Sequence, residues 1–188
     1  EDGTSGEVVA AVRRLDMSWP NGVRPIQVGD LLATTDWSAA LQGVDALVHC
    51  AARVHVMQDT ATDPEKTYRQ INTLGTLNLA NQAAKAGVRR FVFVSSIKVN
   101  GEATLPGHPF KADDIPAPSD PYGVSKMEAE QGLRELSERT GMEVVVVRPV
   151  LVYGPGVKAN FASMMRWLAR GVPLPLGHIN NARSIVAL

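Results

Sequence analysis

Short apolar, β-branched runs alternate along the chain with longer stretches of helical period. Glu7–Val12, Pro25–Val28, Asp45–His49, Phe91–Ser95 and Glu143–Val147 read as strands. Asp63 before Pro64 is an N-cap with proline at the first helical position, and Gly87 closes that helix as a C′ glycine. Asp120-Pro121 and Gly141 bracket a second helix in the same way. Strands alternating with helices imply crossover connections, so the fold class is α/β with a mostly parallel sheet. Val144–Val147 is apolar on both faces, as a strand covered by helices on two sides must be. Pro106, Gly107, Pro109, Pro116 and Pro118 make the stretch between Gly101 and Pro121 a long irregular loop, of the kind that lines a site. Asn160–Arg170 reads as a helix whose Met164, Met165, Trp167 and Leu168 serve packing.

Composition narrows the function classes. The 188 residues are 45% hydrophobic and 20% charged, and 19 Lys and Arg balance 19 Asp and Glu. A zero net charge argues against a basic nucleic-acid binder or a polybasic membrane anchor. No apolar run approaches the ~18 residues of a membrane span. The single Cys50 excludes an internal disulfide and a cysteine-based metal site; no metal is expected, and a reducing, cytoplasmic setting is. The chain opens Glu1-Asp2-Gly3, with neither an initiator Met nor the basic and apolar regions of a signal peptide.

Tyr122 and Lys126 stand four residues apart near the start of the second helix, so their side chains share a face. A phenol of pKa about 10 is a poor base at neutral pH, and a nearby ammonium and the helix N-terminus are both expected to favour the phenolate. Phe91–Ser96 is a buried strand ending in hydroxyls, and sites in parallel sheets lie at the carboxyl ends of strands. Ser96 is thus expected beside Tyr122.

These residues, in this order, resemble the extended short-chain dehydrogenase/reductases, specifically the NAD-dependent epimerase/dehydratase family and its nucleotide-sugar branch. Phe93–Gly101 resembles the strand that carries the family's catalytic Ser or Thr five residues before a Gly, which selects Ser96 over Ser95. Pro121–Lys126 matches the Tyr-x-x-x-Lys motif, and Arg148-Pro149 with Val152–Gly156 matches the segment after the sixth strand. The resemblance implies a catalytic trio of Ser96, Tyr122 and Lys126, with Tyr122 moving the substrate proton, Ser96 hydrogen-bonding its oxygen and Lys126 holding the nicotinamide ribose. It also implies NAD or NADP as cofactor, with Arg13, Asp30, Leu31, Ala51, Ala52, Tyr122, Lys126 and Pro149 on the cofactor side. Asp30-Leu31 resembles the adenine-binding pair, and Ala51-Ala52 the small residues after the fourth strand. Arg13 stands near the end of a strand where an acid binds the ribose hydroxyls and an arginine accommodates a 2′-phosphate, a departure toward NADP. Asn72 matches a helix position behind the active site; the competing reading is a buried hydrogen-bonding residue.

The family's first strand and glycine-rich turn are not found. Gly3 and Gly6 have the first interval, but Val9 stands where the third glycine belongs, so the chain is expected to be the middle of a longer protein, cut at both ends and inactive alone. The resemblance implies a Rossmann-like doubly wound parallel sheet, with residues 1–156 an incomplete dinucleotide-binding domain and 157–188 a partial substrate-binding region that brings Asn160 and Arg183 as diphosphate contacts beside Ser96. Arginine suits that task through its paired, charge-assisted hydrogen bonds. Ile97-Lys98 replaces the Asp-Glu pair of the 4,6-dehydratases, which leaves redox chemistry at one carbon; the resemblance of Tyr153–Phe161 and Pro173–Arg183 to members acting on UDP-sugars implies C4 of a UDP-linked hexose, by a 4-epimerase or a 4-ketoreductase. Leu151 stands where many epimerases have a substrate-contacting Asn. A non-sugar carbonyl reductase and a non-catalytic nucleotide sensor are the alternatives. The resemblance also implies a homodimer through the two long helices, with Leu74, Leu77, Ala80 and Ala84 as a stripe for core or partner.

Overall fold

The computed structural model describes residues 6–54, 63–155, 159–171, 173 and 182–188, with the backbone alone at 159–162. The chain divides into two compact units, Glu1–Arg148 and Pro149–Leu188.

In the first unit, β1 (Val8–Val12) pairs in parallel with β2 (Val23–Gln27), Val8 opposite Val23 and Val12 opposite Gln27. β3 (Ala46–His49), β4 (Arg90–Val94) and β5 (Glu143–Val147) form a parallel sheet in that order, with Leu47 opposite Phe91 and Phe91 opposite Val144. Parallel neighbours need crossovers. The first crossover runs through α2 (Pro64–Tyr68), a π-helical segment (Arg69–Gly75) and α3 (Thr76–Lys85); the second is α4 (Pro121–Thr140). Pro25 is tolerated inside β2 because that strand pairs with β1 alone among the described residues, so its missing N–H breaks no second ladder.

The helix ends follow the capping residues. The Asp63 carboxylate accepts from the Lys66 N–H at 3.0 Å, and that of Asp120 accepts from the Gly123 N–H at 2.6 Å. Gly141 closes α4 in the left-handed region at φ 75°, donating to the Ser137 carbonyl at 2.8 Å. β4 alternates as a strand must, Phe91 and Phe93 fully buried against Leu79, Ala80, Ala129 and Leu133. Of the apolar stripe on the first crossover, Ala80 and Ala84 belong to this core, Leu77 lies against Gly132 of α4, and Leu74 is exposed. Gly75 is needed where it stands, since a Cβ there would come within 2.9 Å of the Leu31 carbonyl oxygen. A short α1 (Ser38–Leu41) precedes β3, and Gly101 to Asp120 carries neither helix nor strand.

In the second unit, β6 (Leu151–Tyr153) pairs in parallel with β7 (Ile185–Ala187), and the Leu188 N–H donates to the Tyr153 carbonyl at 3.0 Å. Residues Ala159–Ala169 form α5. Its Met164, Met165, Trp167 and Leu168, expected to pack, are all exposed, the last three by about half, because nothing among the described residues covers them. Among those residues no helix is long and apolar enough to cross a membrane.

Candidate active site

β4 delivers its chain to the carboxyl edge of the three-stranded sheet, where Ser96 follows in extended conformation (φ −157°, ψ 148°) and caps a single 3-10 turn, Ile97–Val99. Its Oγ accepts from the Lys98 N–H at 3.3 Å. α4 begins against this turn: Gly123 packs so closely that a Cβ would lie 2.9 Å from the Lys98 carbonyl. That approach places Tyr122, the second residue of α4, near Ser96, close enough for the serine side chain to act on the phenol's protonation. Lys126 follows one turn on, almost wholly buried, its Nζ donating to the Val94 carbonyl at 2.8 Å and lying 4.4 Å from the centre of the Phe93 ring. Ser96, Tyr122 and Lys126 therefore lie near the end of β4, with the Lys126 ammonium turned to the strand backbone.

The electrostatics differ from expectation. Burial pushes the Tyr122 phenol above its usual value, because the phenolate would lose hydration; the Ser96 side chain pulls it back, Asp120 and Tyr68 raise it further, and the Lys98 charge lowers it. The cation acting on Tyr122 is thus Lys98, held in ion pairs with Glu102 and Asp120, while Lys126 is turned to the strand backbone. Burial lowers Lys126 itself to about 8, against the support of Glu130 and Cys50.

The walls of the site were not foreseen. Tyr68 of α2, buried, meets Tyr122 edge-on with ring centroids 6.2 Å apart, and the Arg53 guanidinium sits over the Tyr68 ring at 5.6 Å. Its place four residues before Asn72 was the available signal. Asn72 is the buried hydrogen-bonding residue of the two readings: its Oδ1 accepts from the Arg53 N–H at 2.8 Å, and its Nδ2 donates to the Arg53 carbonyl and to Ser125 Oγ, each at 3.0 Å. Asn72 thereby ties the chain after β3 to α4. His49, buried at the end of β3, shares a 2.9 Å hydrogen bond with Thr76 Oγ1 and stacks on Phe93.

The expected cofactor-side residues fall at strand ends. Arg13 follows β1 and Asp30 lies just past β2; both are exposed and form an ion pair at 3.6 Å. Leu31 packs on the core and against Gly75. Ala51, exposed, and Ala52, half-buried, follow β3. Pro149 and the exposed Arg183 belong to the second unit, and the Asn160 side chain lies outside the described residues.

The sequence profile of the NAD dependent epimerase/dehydratase family matches residues 3–185, nearly the whole chain. The chain belongs to this family. Among its fellow members, UDP-glucose 4-epimerase of Vibrio cholerae is 56% identical over 163 residues, covering 86% of this chain and 50% of that protein. GDP-6-deoxy-D-mannose reductase of Pseudomonas aeruginosa is 38% identical over 129 residues, covering 67% and 42%. Among solved structures, MoeE5 in complex with UDP-glucose and NAD superposes with a TM-score of 0.72 at 31% identity, covering 96% of this chain and 59% of that one. The fold is thus the Rossmann type of the NAD-dependent epimerases and dehydratases. The chain spans about half the length of the curated relatives it matches.

Proposed function

We propose that the whole protein is an NAD(P)-dependent nucleotide-sugar 4-epimerase that inverts C4 of a UDP-hexose through a 4-keto sugar. The observation that carries this reading is that the close packing of Gly123 on the Lys98 carbonyl sets the start of α4, with Tyr122, against the turn capped by Ser96 at the carboxyl edge of a parallel sheet. The Vibrio cholerae epimerase and the UDP-glucose complex of MoeE5 support the substrate class and NAD.

The residues present fit a dinucleotide laid across the strand ends. Asp30 offers an exposed carboxylate past β2, Ala51 presents a small exposed side chain past β3, and Lys126 brings a buried cation to the end of β4. Arg13 is engaged by Asp30, so the pair presents both signs of charge where a ribose or its 2′-phosphate would lie. When bound, the nicotinamide supplies a hydride acceptor that can also return the hydride.

In the proposed reaction Tyr122, as phenolate, takes the proton of the C4 hydroxyl as the C4 hydride departs, leaving a 4-keto sugar. Ser96 donates a hydrogen bond to that C4 oxygen. Burial raises the Tyr122 pKa, so the neutral phenol is the resting form and the phenolate a strong base when it forms; once the keto group is reduced on the opposite face, Tyr122 returns the proton. Tyr68 packs edge-on against the Tyr122 ring, and Arg53 lies over the Tyr68 ring.

Incubating the whole protein with UDP-glucose and a catalytic amount of NAD, with chromatography of the products, tests the reading. A C4 epimer formed without net NADH supports it. Consumption of NADPH only with a 4-keto nucleotide sugar would make the protein a 4-ketoreductase, the reading that the Pseudomonas aeruginosa reductase favours. Activity confined to non-sugar carbonyls, or none at all, would overturn both.

A further inference from the structure

Glu130 is a buried acid for which the proposed reaction has no use. It lies on α4 one turn beyond Lys126, 1% exposed, and makes four hydrogen bonds. Its Oε1 accepts from Ser95 Oγ at 2.6 Å and from Arg148 Nε at 3.0 Å; its Oε2 accepts from Arg148 Nη2 at 2.6 Å and from Arg134 Nη2 at 3.5 Å. The Arg148 side chain is itself only 10% exposed. Its remaining Nη1 donates to Asn100 Oδ1 at 3.0 Å and to the Ala112 carbonyl at 3.4 Å, and Asn100 Nδ2 donates to the Lys111 carbonyl at 3.0 Å. One carboxylate and one guanidinium therefore join α4, the end of β4, the end of β5 and the irregular loop.

Ser96 stands in the middle of this network without belonging to it. The residue before it, Ser95, is held by Glu130 through its side chain and by the Val147 carbonyl through its N–H at 2.7 Å. The residue four beyond it, Asn100, is held by Arg148. We propose that Glu130 and Arg148, with Ser95 as the link, are positioning residues that fix the Ser96 hydroxyl against Tyr122. Paired, charge-assisted hydrogen bonds in a buried site are stiff and directional. Their value lies in placement, since a shift of about 1 Å in a reacting group costs on the order of a hundredfold in rate. Adjacent serines at the strand end thus divide the work, Ser95 facing inward as an anchor and Ser96 outward as the reacting hydroxyl. This inference rests on the reading of Ser96 and Tyr122 as the reacting pair.

The test uses Ser95→Ala in the whole protein, because it cuts the link without stranding a buried charge. With a UDP-hexose, kcat is expected to fall about tenfold while KM stays within about twofold, and Ser95→Thr, which keeps the hydroxyl, is expected to recover most of the loss. A Ser95→Ala kcat within twofold of the wild type would overturn the proposal, as would an equal loss in Ser95→Thr. A second readout needs no turnover. The absorbance titration of Tyr122, taken as the difference from Tyr122→Phe, is expected to move to higher pH in Ser95→Ala, because Ser96 no longer supports the phenolate; an unmoved titration would contradict the proposal. If wild-type protein turns over no UDP-hexose yet the titration moves, the positioning role stands and the substrate assignment fails.

Discussion

The Lys126 ammonium, buried on α4, donates to the Val94 carbonyl at 2.8 Å, two residues before the serine that meets Tyr122. Burial lowers it from an ordinary 10.5 to about 8, while in the unfolded chain it stays near 10.5. Between those values the unfolded state binds more protons, so the contribution of this group to stability rises with pH across the window. Below pH 8 both states are protonated and the full cost of burying the charge is present. Lys126→Met removes this term. Its stability relative to the wild type is expected to be most favourable near pH 7 and to lose ground toward pH 10, as measured by urea unfolding of the whole protein. A difference independent of pH would contradict the burial of a charged Lys126.

His49 governs the acid side. Burial, aided by the Lys126 charge, lowers it from 6.5 to about 4. As pH falls through that range the unfolded chain takes up a proton that the folded chain refuses, and stability falls by on the order of 3 kcal/mol at most. His49→Gln is expected to flatten the loss between pH 6.5 and 4 in denaturant titrations. An unchanged acid limb would show that His49 does not carry it.

Gly75→Ala brings a Cβ within 2.9 Å of both the Leu31 carbonyl oxygen and its Cγ. Backbone cannot swing aside as a flexible side-chain tip would, so a loss of about 1–3 kcal/mol is expected by thermal or chemical unfolding. Because Leu31 follows Asp30 at the end of β2, weaker binding of NAD should accompany it. A variant as stable as the wild type would show that the two segments do not meet so closely.

Local chemistry made much of this legible. Asp63, Asp120 and Gly141 end their helices as capping rules require, and the hydroxyls after Phe91–Val94 put Ser96 at the sheet edge, within reach of a helix that starts at Pro121. What stayed hidden depends on contacts far apart in the chain. The π-helical segment was invisible because residues Arg69–Gly75 carry an ordinary helical pattern, and the close approach of Leu31 is a tertiary fact. Glu130 looked like one more polar residue on a long helix until Arg148, 18 positions on, and Ser95, 35 positions back, met its two oxygens. Spacing also misjudged the charge on Tyr122. A lysine one turn away shares its face of the helix, yet the strand carbonyl claims that lysine and Lys98 supplies the nearby cation.

Tyr122→Phe in the whole protein bears most directly on the proposed chemistry, with turnover of UDP-glucose and the binding of NAD and UDP-sugar measured side by side. Loss of the phenol is expected to lower turnover about a hundredfold or more, within the range for a general acid–base group, while both affinities stay within about twofold. A near-native rate in that variant would contradict the assignment of Tyr122 as the group that moves the C4 hydroxyl proton.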